Sequence, residues 1–123
     1  MGGIVVKSIE KPDETRKFAG HGWLDVVTIG DLTVGRGTFQ PGWRWSNDVK
    51  PIAGTDSCQA PHNAFVLAGR MVIRMNDGTE TEIGPGDVFD CPPGHDAWTL
   101  GDEDCVMIDF AKGTPTDYAK PAT

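Results

Sequence analysis

Long apolar runs are missing from this 123-residue chain, and no stretch approaches the ~20 residues a membrane-spanning helix needs. The opening MGGIVVKSIEKPDETRK also lacks the apolar core of a signal peptide. The expectation is a cytoplasmic protein with no membrane partner. Met1-Gly2-Gly3 begins as an acylation site does, but Val6 stands where Ser or Thr is needed. Basic residues are scarce: 11 Lys and Arg face 18 Asp and Glu, a formal charge of −7. A phosphate backbone is repelled on average, which argues against nucleic acid as a partner. Most of the acidity lies after residue 50. Cysteines are few and odd in number, and Cys58, Cys91 and Cys105 form no C-x-x-C pair. That excludes a zinc knuckle or a thioredoxin-type site and leaves reduced thiols as the default. Histidine is equally sparse, with only His21, His62 and His95.

What the chain does have is a rhythm of short runs rich in Val, Ile, Thr, Phe and Trp, recurring every 8 to 12 residues between Gly, Pro and Asp-Gly. That spacing predicts an all-β domain, a sandwich or a barrel, with strands over 4–9, 23–29, 32–39, 43–46, 62–67, 70–76, 79–83, 87–91, 95–100 and 105–110. Asn76-Asp77-Gly78 marks a tight hairpin, because Gly supplies the positive φ such a turn requires. Ile83-Gly84-Pro85-Gly86-Asp87 marks a second sharp turn. One domain over 1–123 is expected, with its core over about 22–110, an N-terminal strand on one side and a C-terminal tail or single helical turn on the other. Pro121 limits any longer helix there.

Strand side chains alternate between faces, so parity decides which residues share an interior. His62, Ala64, Val66 and Ala68 share one face, and His95, Ala97 and Thr99 share another. Facing each other, they would line a pocket of small residues with two imidazoles. His21, in Ala19-Gly20-His21-Gly22-Trp23, reads instead as an exposed loop histidine. Asp96, of opposite parity to His95, is expected to bond turn backbone, and Asp102-Glu103-Asp104 to form a solvated loop.

Two motifs carry a resemblance over about residues 30–110. Gly86, five residues, Pro92-Pro93-Gly94 and two more residues match a pattern that closes on histidine, but that slot is Ala97, and His95 lies two residues earlier on the same face. Counting back from Gly69 places His62 at a glutamate position of a second pattern, Gly-x5-His-x-His-x3–4-Glu-x6-Gly. Counted forward from Gly42, its two histidine slots fall on Asp48 and Lys50; counted back from His62, they fall on Asp56 and Cys58 or on Thr55 and Ser57. The Gly42–His62 interval is about nine residues too long for the pattern. With these motifs the chain resembles the cupins, single jelly-roll β-barrels.

The resemblance implies a divalent metal at the barrel centre, and the three-histidine, one-carboxylate set usual there cannot be built here. The donors on offer are His62, His95, Cys58 as a thiolate, and Asp48 or Asp56, provided the loop 46–61 folds inward. Two His with one Cys suits zinc, two His with a carboxylate suits iron(II), and manganese or nickel stay open. Trp43, Arg44, Trp45, Gln59 and Ala97 are candidates to line a small-molecule pocket at the barrel mouth. The competing reading sets Trp43 and Trp45 on the outside or in a dimer contact. A nucleophilic pair of Cys58 with His62 is the weakest reading, since the strand-turn-helix setting of such nucleophiles is missing. Two function classes follow: a metal-dependent enzyme acting on a small organic molecule by oxygenase, lyase or isomerase chemistry, and a metal-free cupin acting as sensor or carrier. A homodimer is expected because small barrels expose edge strands.

Overall fold

The structure, a computed structural model, describes residues 3–110 and 118–119. Nine strands and two short helices follow in chain order: β1 (Glu14–Lys17), β2 (Gly22–Ile29), β3 (Leu32–Phe39), α1 (Trp45–Asp48), α2 (Lys50–Ala53), β4 (His62–Ala68), β5 (Arg70–Met75), β6 (Glu80–Ile83), β7 (Val88–Cys91), β8 (His95–Leu100) and β9 (Cys105–Asp109). They form two sheets, β1-β2-β3-β9-β4-β7 and β6-β5-β8, with every pairing antiparallel. The all-β expectation therefore holds. Closure into a barrel is not made by hydrogen-bonded ladders: both sheets end in edge strands among the described residues, which is the pattern of a sandwich. No helix among the described residues is long and apolar enough to cross a membrane.

Alternation puts the expected residues inside. Along β4, Ala64 and Val66 are buried while Phe65 and Leu67 face out. Along β8, His95, Ala97 and Thr99 are buried in strict alternation, opposite Met75, Ile73 and Met71 of β5. On β9 the inward set is Cys105, Met107 and Asp109, with Met107 opposite Val66 and Asp109 opposite Ala64. The hairpin at Asn76-Asp77-Gly78 forms as its sequence requires, with Gly78 at φ +93° and the Asp77 carboxylate accepting from Thr79 N at 2.9 Å. Gly69, at φ +75° between β4 and β5, lets two strands touch: a Cβ there would strike the Asp104 carbonyl and the Cys105 Cα.

Two expected strands are corrected. Residues 4–9 form no strand; Ile4, Val5 and Val6 are exposed, and Lys7 tethers the segment through Asp13 at 3.0 Å and the Thr28 carbonyl at 2.7 Å. The first strand is β1, which pairs with Trp23–Val26 of β2 across a turn closed by Phe18 N donating to Gly22 O at 3.1 Å. Residues 43–46 form no continuous strand: Arg44 keeps extended backbone with a single antiparallel bridge to Trp98, and Trp45 starts the helical turn α1. The Asp48 carboxylate accepts from Arg44 N at 2.9 Å and Asp48 N donates back to Arg44 O at 2.9 Å. Pro51 sits in the first turn of α2, and Gly54 ends it in the left-handed region. The expected tail or helical turn over 114–123 lies outside the described residues except for Tyr118 and Ala119, both buried in the core.

An aromatic cluster fills one end of the interior. Phe39 packs against Trp43 at 4.5 Å between ring centroids, and Phe18 against Phe39 at 5.5 Å and Tyr118 at 5.9 Å. Such pairs add about 0.5–1.5 kcal/mol each beyond the area they bury.

Candidate metal centre and interior cavity

Cys58, His62 and His95 each offer one ligand atom within 4.8 Å of the others. They arrive from three elements. His62 opens β4 and His95 opens β8, both on the inward parity, and their rings meet edge-on at 5.0 Å. Cys58 comes from the loop after α2, which folds inward and hooks onto the start of β8. Its N–H donates to His95 O at 2.7 Å, and Gly94 N donates to Cys58 O at 2.7 Å. The thiol is buried, with Sγ 3.8 Å from His62 Nε2. Ligands at zinc–sulfur and zinc–nitrogen distances lie roughly 3.5 Å apart around a tetrahedron, so from a spread of at most 4.8 Å the group needs to close by no more than about 1.3 Å.

Both imidazoles are oriented by acceptors on Nδ1. Asp109 Oδ2 lies 2.7 Å from His62 Nδ1, and the Pro92 carbonyl lies 3.0 Å from His95 Nδ1. A carboxylate and a carbonyl only accept, so each Nδ1 carries the hydrogen and the neutral ring keeps its lone pair on Nε2. That is the tautomer a metal-binding histidine uses, with a carboxylate or carbonyl behind it. Burial, reinforced by the neighbouring His62, pushes the His95 pKa down to about 4, which keeps this ring neutral. Burial pushes the Cys58 thiol up to about 12, Cys105 to about 12 and Cys91 to about 11. A thiol so disfavoured as an anion is no activated nucleophile, although Cys58, His62 and Asp109 line up in the order of a nucleophilic triad. Coordination to a cation is what would deprotonate it.

Several sequence candidates sit elsewhere. Asp48 is buried but faces His21, whose Nδ1 is 3.1 Å from it, and ties the β1–β2 turn to α1. It is absent from the Cys58–His62–His95 group, and Asp56 is fully exposed beside Lys50. His21 is half exposed, as expected, and holds φ +59°. Arg44 turns away from the interior: its guanidinium stacks 4.5 Å over the Trp98 ring and its Nε lies 3.3 Å from Asp96. Asp96 also accepts from Ser46 N and Ala97 N. Gln59 is exposed, lining an outer cleft with Cys58 and Trp45, while Asp102, Glu103 and Asp104 are exposed in their turn.

Trp43 and Trp45, by contrast, are not on the outside. Both are 2% exposed and line the interior cavity together with Ala97, His62 and His95. The cavity leaves about 40 Å³ open to the centre of a water-sized sphere, room for more than one water. Most of the rest of its wall is apolar, with Leu24, Phe39, Met71, Ile73 and Met107. The two indole nitrogens are buried without a hydrogen-bond partner among the described residues. An unmet buried donor costs about 1–3 kcal/mol.

Sequence reasoning missed Asp109 and Tyr118, which also line the cavity. Tyr118 packs its ring 5.6 Å from His62, and its carbonyl accepts from the buried Arg16 at 2.9 Å. Asp109 had a signal, an acid on the inward parity of Cys105 and Met107. Tyr118 had none.

No family model matches the sequence, and no curated protein matches it either. Solved structures do match. The polyketide cyclase RemF of Streptomyces resistomycificus superposes with a TM-score of 0.62 at 16% identity, covering 87% of this chain and 78% of that one. A cupin-like protein of Thermotoga maritima gives 0.55 at 20% identity over 78% and 71%. A double-stranded β-helix protein of Klebsiella pneumoniae gives 0.55 at 19% identity over 87% and 88%. The fold is that of the cupins. Within that cupin frame, moving a histidine from position 97 to 95 shifts it about 7 Å along β8. It thereby stands at the strand's start, against Cys58. The extra residues after Gly42 form α1, α2 and the loop that delivers Cys58 to that spot.

Proposed function

We propose that this cupin binds a small organic molecule in its interior and holds a divalent metal ion on Cys58, His62 and His95. The observation that supports it most is the setting of the three donors: each histidine donates Nδ1–H to an acceptor, the His62 Nε2 lies 3.8 Å from the Cys58 sulfur, and one ligand atom of each of Cys58, His62 and His95 falls within 4.8 Å of the others. One thiolate with two imidazoles is a zinc donor set, leaving a fourth position for water or substrate, as catalytic zinc sites do. A metal held there supplies a polarising Lewis acid and a water of lowered pKa. The chain's own residues do the rest: Asp109 and Pro92 hold the rings in register, and the apolar wall excludes bulk water. Lyase or isomerase chemistry fits a redox-silent ion, whereas iron, nickel or manganese in the same donors would point to oxygenase chemistry. The test is zinc titration against a competing chromogenic chelator. One equivalent should bind the wild-type chain and none should bind His62→Ala or His95→Ala; equal uptake by all three contradicts the site.

A metal-free binder, acting as sensor or carrier, is the second reading, and the apolar wall with its unmet indole donors favours it. Ligand binding that persists undiminished after chelation selects it. A homodimer belongs to the same proposal. Phe65, Leu67, Val88 and Phe110 are exposed on or beside the outer face at the β7 edge, with Phe65 and Val88 adjacent in register. On a chain of charge −7, a largely apolar patch, with Asp90 at its margin bonded to Asn63, is where two copies meet with least repulsion.

A further inference from the structure

We infer that the organic ligand seats its body in the outer cleft beside α2 and the loop that follows it, and that this ligand is an uncharged two-ring compound carrying a hydroxyl, of the class of a naphthol. The inference rests on the small-molecule reading above and adds the ligand's seat and chemical class.

Volume keeps a ring out of the interior cavity. Its space of about 40 Å³ suits waters or one small group, whereas a cavity that takes benzene measures about 150 Å³. The outer cleft measures about 290 Å³, roughly twice the benzene cavity and near the lower end of small-molecule pockets. Trp45 and Tyr118 belong to the walls of both spaces, and Cys58 stands in the wall of the cleft, which sets an occupant beside the candidate metal centre. Apart from Tyr118 and Ala119, the described lining comes from α1, α2 and the loop after them, so the stretch that delivers Cys58 also makes the cleft.

The lining sets the polarity. Trp45, Val49 and Tyr118 are buried beneath it, while Ala53, Thr55, Gln59 and Pro61 are exposed around it. No charged side chain stands among the described residues of the lining, so an ion would lose water there without a counter-charge. The exposed polar groups then select the ligand's own polar group. The Thr55 hydroxyl donates to Ser57 O at 2.8 Å, and the Gln59 amide nitrogen donates to Ser57 O at 3.3 Å and Ser57 Oγ at 3.0 Å. Those donors are spent within the loop. What Thr55 and Gln59 still offer is oxygen lone pairs, which a ligand hydroxyl meets by donating.

Equilibrium dialysis of the full chain at pH 7 compares 2-naphthol, 2-methylnaphthalene, which has a methyl in place of the hydroxyl, and the 2-naphthoate anion. Zinc content is read on the same samples. One variant is Ala53→Trp, whose indole fills the cleft from an exposed position; the other is the double variant Thr55→Val with Gln59→Leu, which removes both acceptors. The wild-type chain should bind 2-naphthol, and Ala53→Trp should weaken it about tenfold or more by occupying the same space. The double variant should cost 2-naphthol about two- to tenfold and 2-methylnaphthalene less than about twofold. The wild-type chain should hold 2-naphthoate about tenfold or more weakly than 2-naphthol. If Ala53→Trp does not fold, wild-type amide resonances decide: 2-naphthol should shift those of Ala53, Thr55 and Gln59 and leave those of Met71 and Ile73, in the interior wall, in place. Failure of 2-naphthol to bind, equal losses for both neutral compounds in the double variant, or 2-naphthoate bound as tightly as 2-naphthol overturns the inference. Equal binding of 2-naphthol by wild type and Ala53→Trp also overturns it, while leaving the small-molecule reading standing. Zinc missing from the wild-type chain with the naphthol pattern intact overturns the metal reading alone.

Discussion

Replacing Asp109 by Asn removes the charge behind His62 and nearly preserves the shape of the side chain. The carboxylate and imidazole are 2.7 Å apart, with side chains 7% and 14% exposed, so water screens the pair weakly. A hydrogen bond to a charged partner in such a place is worth about 1.5–3 kcal/mol, which is about ten- to a hundredfold in a binding constant. Loss of a carboxylate behind a metal-bound histidine carries the same penalty in metal affinity. Asp109→Asn should therefore weaken zinc binding by about ten- to a hundredfold. If the amide presents its NH₂ to Nδ1 the ring tautomer reverses, Nε2 gains the hydrogen, and the loss is larger. The assay is chelator competition at pH 7.5, run beside urea unfolding of the metal-free protein. A purely structural role would lower the unfolding midpoint and leave the zinc constant alone. Zinc affinity within twofold of wild type would refute the reasoning.

Three further outcomes follow from the same contacts. His95 is held at a pKa of about 4 against about 6.5 when unfolded, so between those values the unfolded chain binds the extra proton. Stability of the metal-free protein should be fully present above pH 6.5 and fall as pH drops, by about 3 kcal/mol on reaching pH 4; urea midpoints against pH check it, and His95→Leu should flatten that segment. Iodoacetamide should label Cys58 of the native, metal-free chain slowly and no faster than Cys91 or Cys105, because all three thiols resist ionisation; fast, selective labelling of Cys58 would restore the nucleophile reading. Val88→Lys places a charge on the exposed apolar edge and should convert a dimer to monomer in sedimentation without moving the thermal midpoint of the fold.

Much of this architecture is legible in the residues, for physical reasons that differ by element. β4, β8 and β9 declare themselves because one face is buried, and a period of two then fixes which side chains point inward, His62 and His95 included. The backward count from Gly69 through His62 also reaches Cys58, whose loop bonds to the start of β8. Residues 4–9 mislead because Ile4, Val5 and Val6 have strand propensity and no strand to pair with, so burial never follows. Trp43 and Trp45 line the interior, the pocket reading of the two the residues allow, although no continuous strand carries them: Trp43 and Arg44 precede the helix, Trp45 starts a helical turn closed by the Asp48 carboxylate on Arg44 N, and the alternation across 43–45 still puts both rings inside. The same bond consumes Asp48, a ligand by spacing and a cap by geometry. Asp109 hides among acidic residues that are mostly exposed, and only its parity sets it apart.

The central claim is that one sulfur and two imidazole nitrogens converge on a single metal ion. Cobalt(II) titration tests it most directly, because a thiolate bound to cobalt absorbs by charge transfer and neither a free thiol nor an imidazole does. One equivalent of cobalt should produce that band in the wild-type chain, Cys58→Ser should bind cobalt without it, and His62→Ala and His95→Ala should fail to bind at all. Cobalt bound with no thiolate band, or a band that survives in Cys58→Ser, would contradict the account.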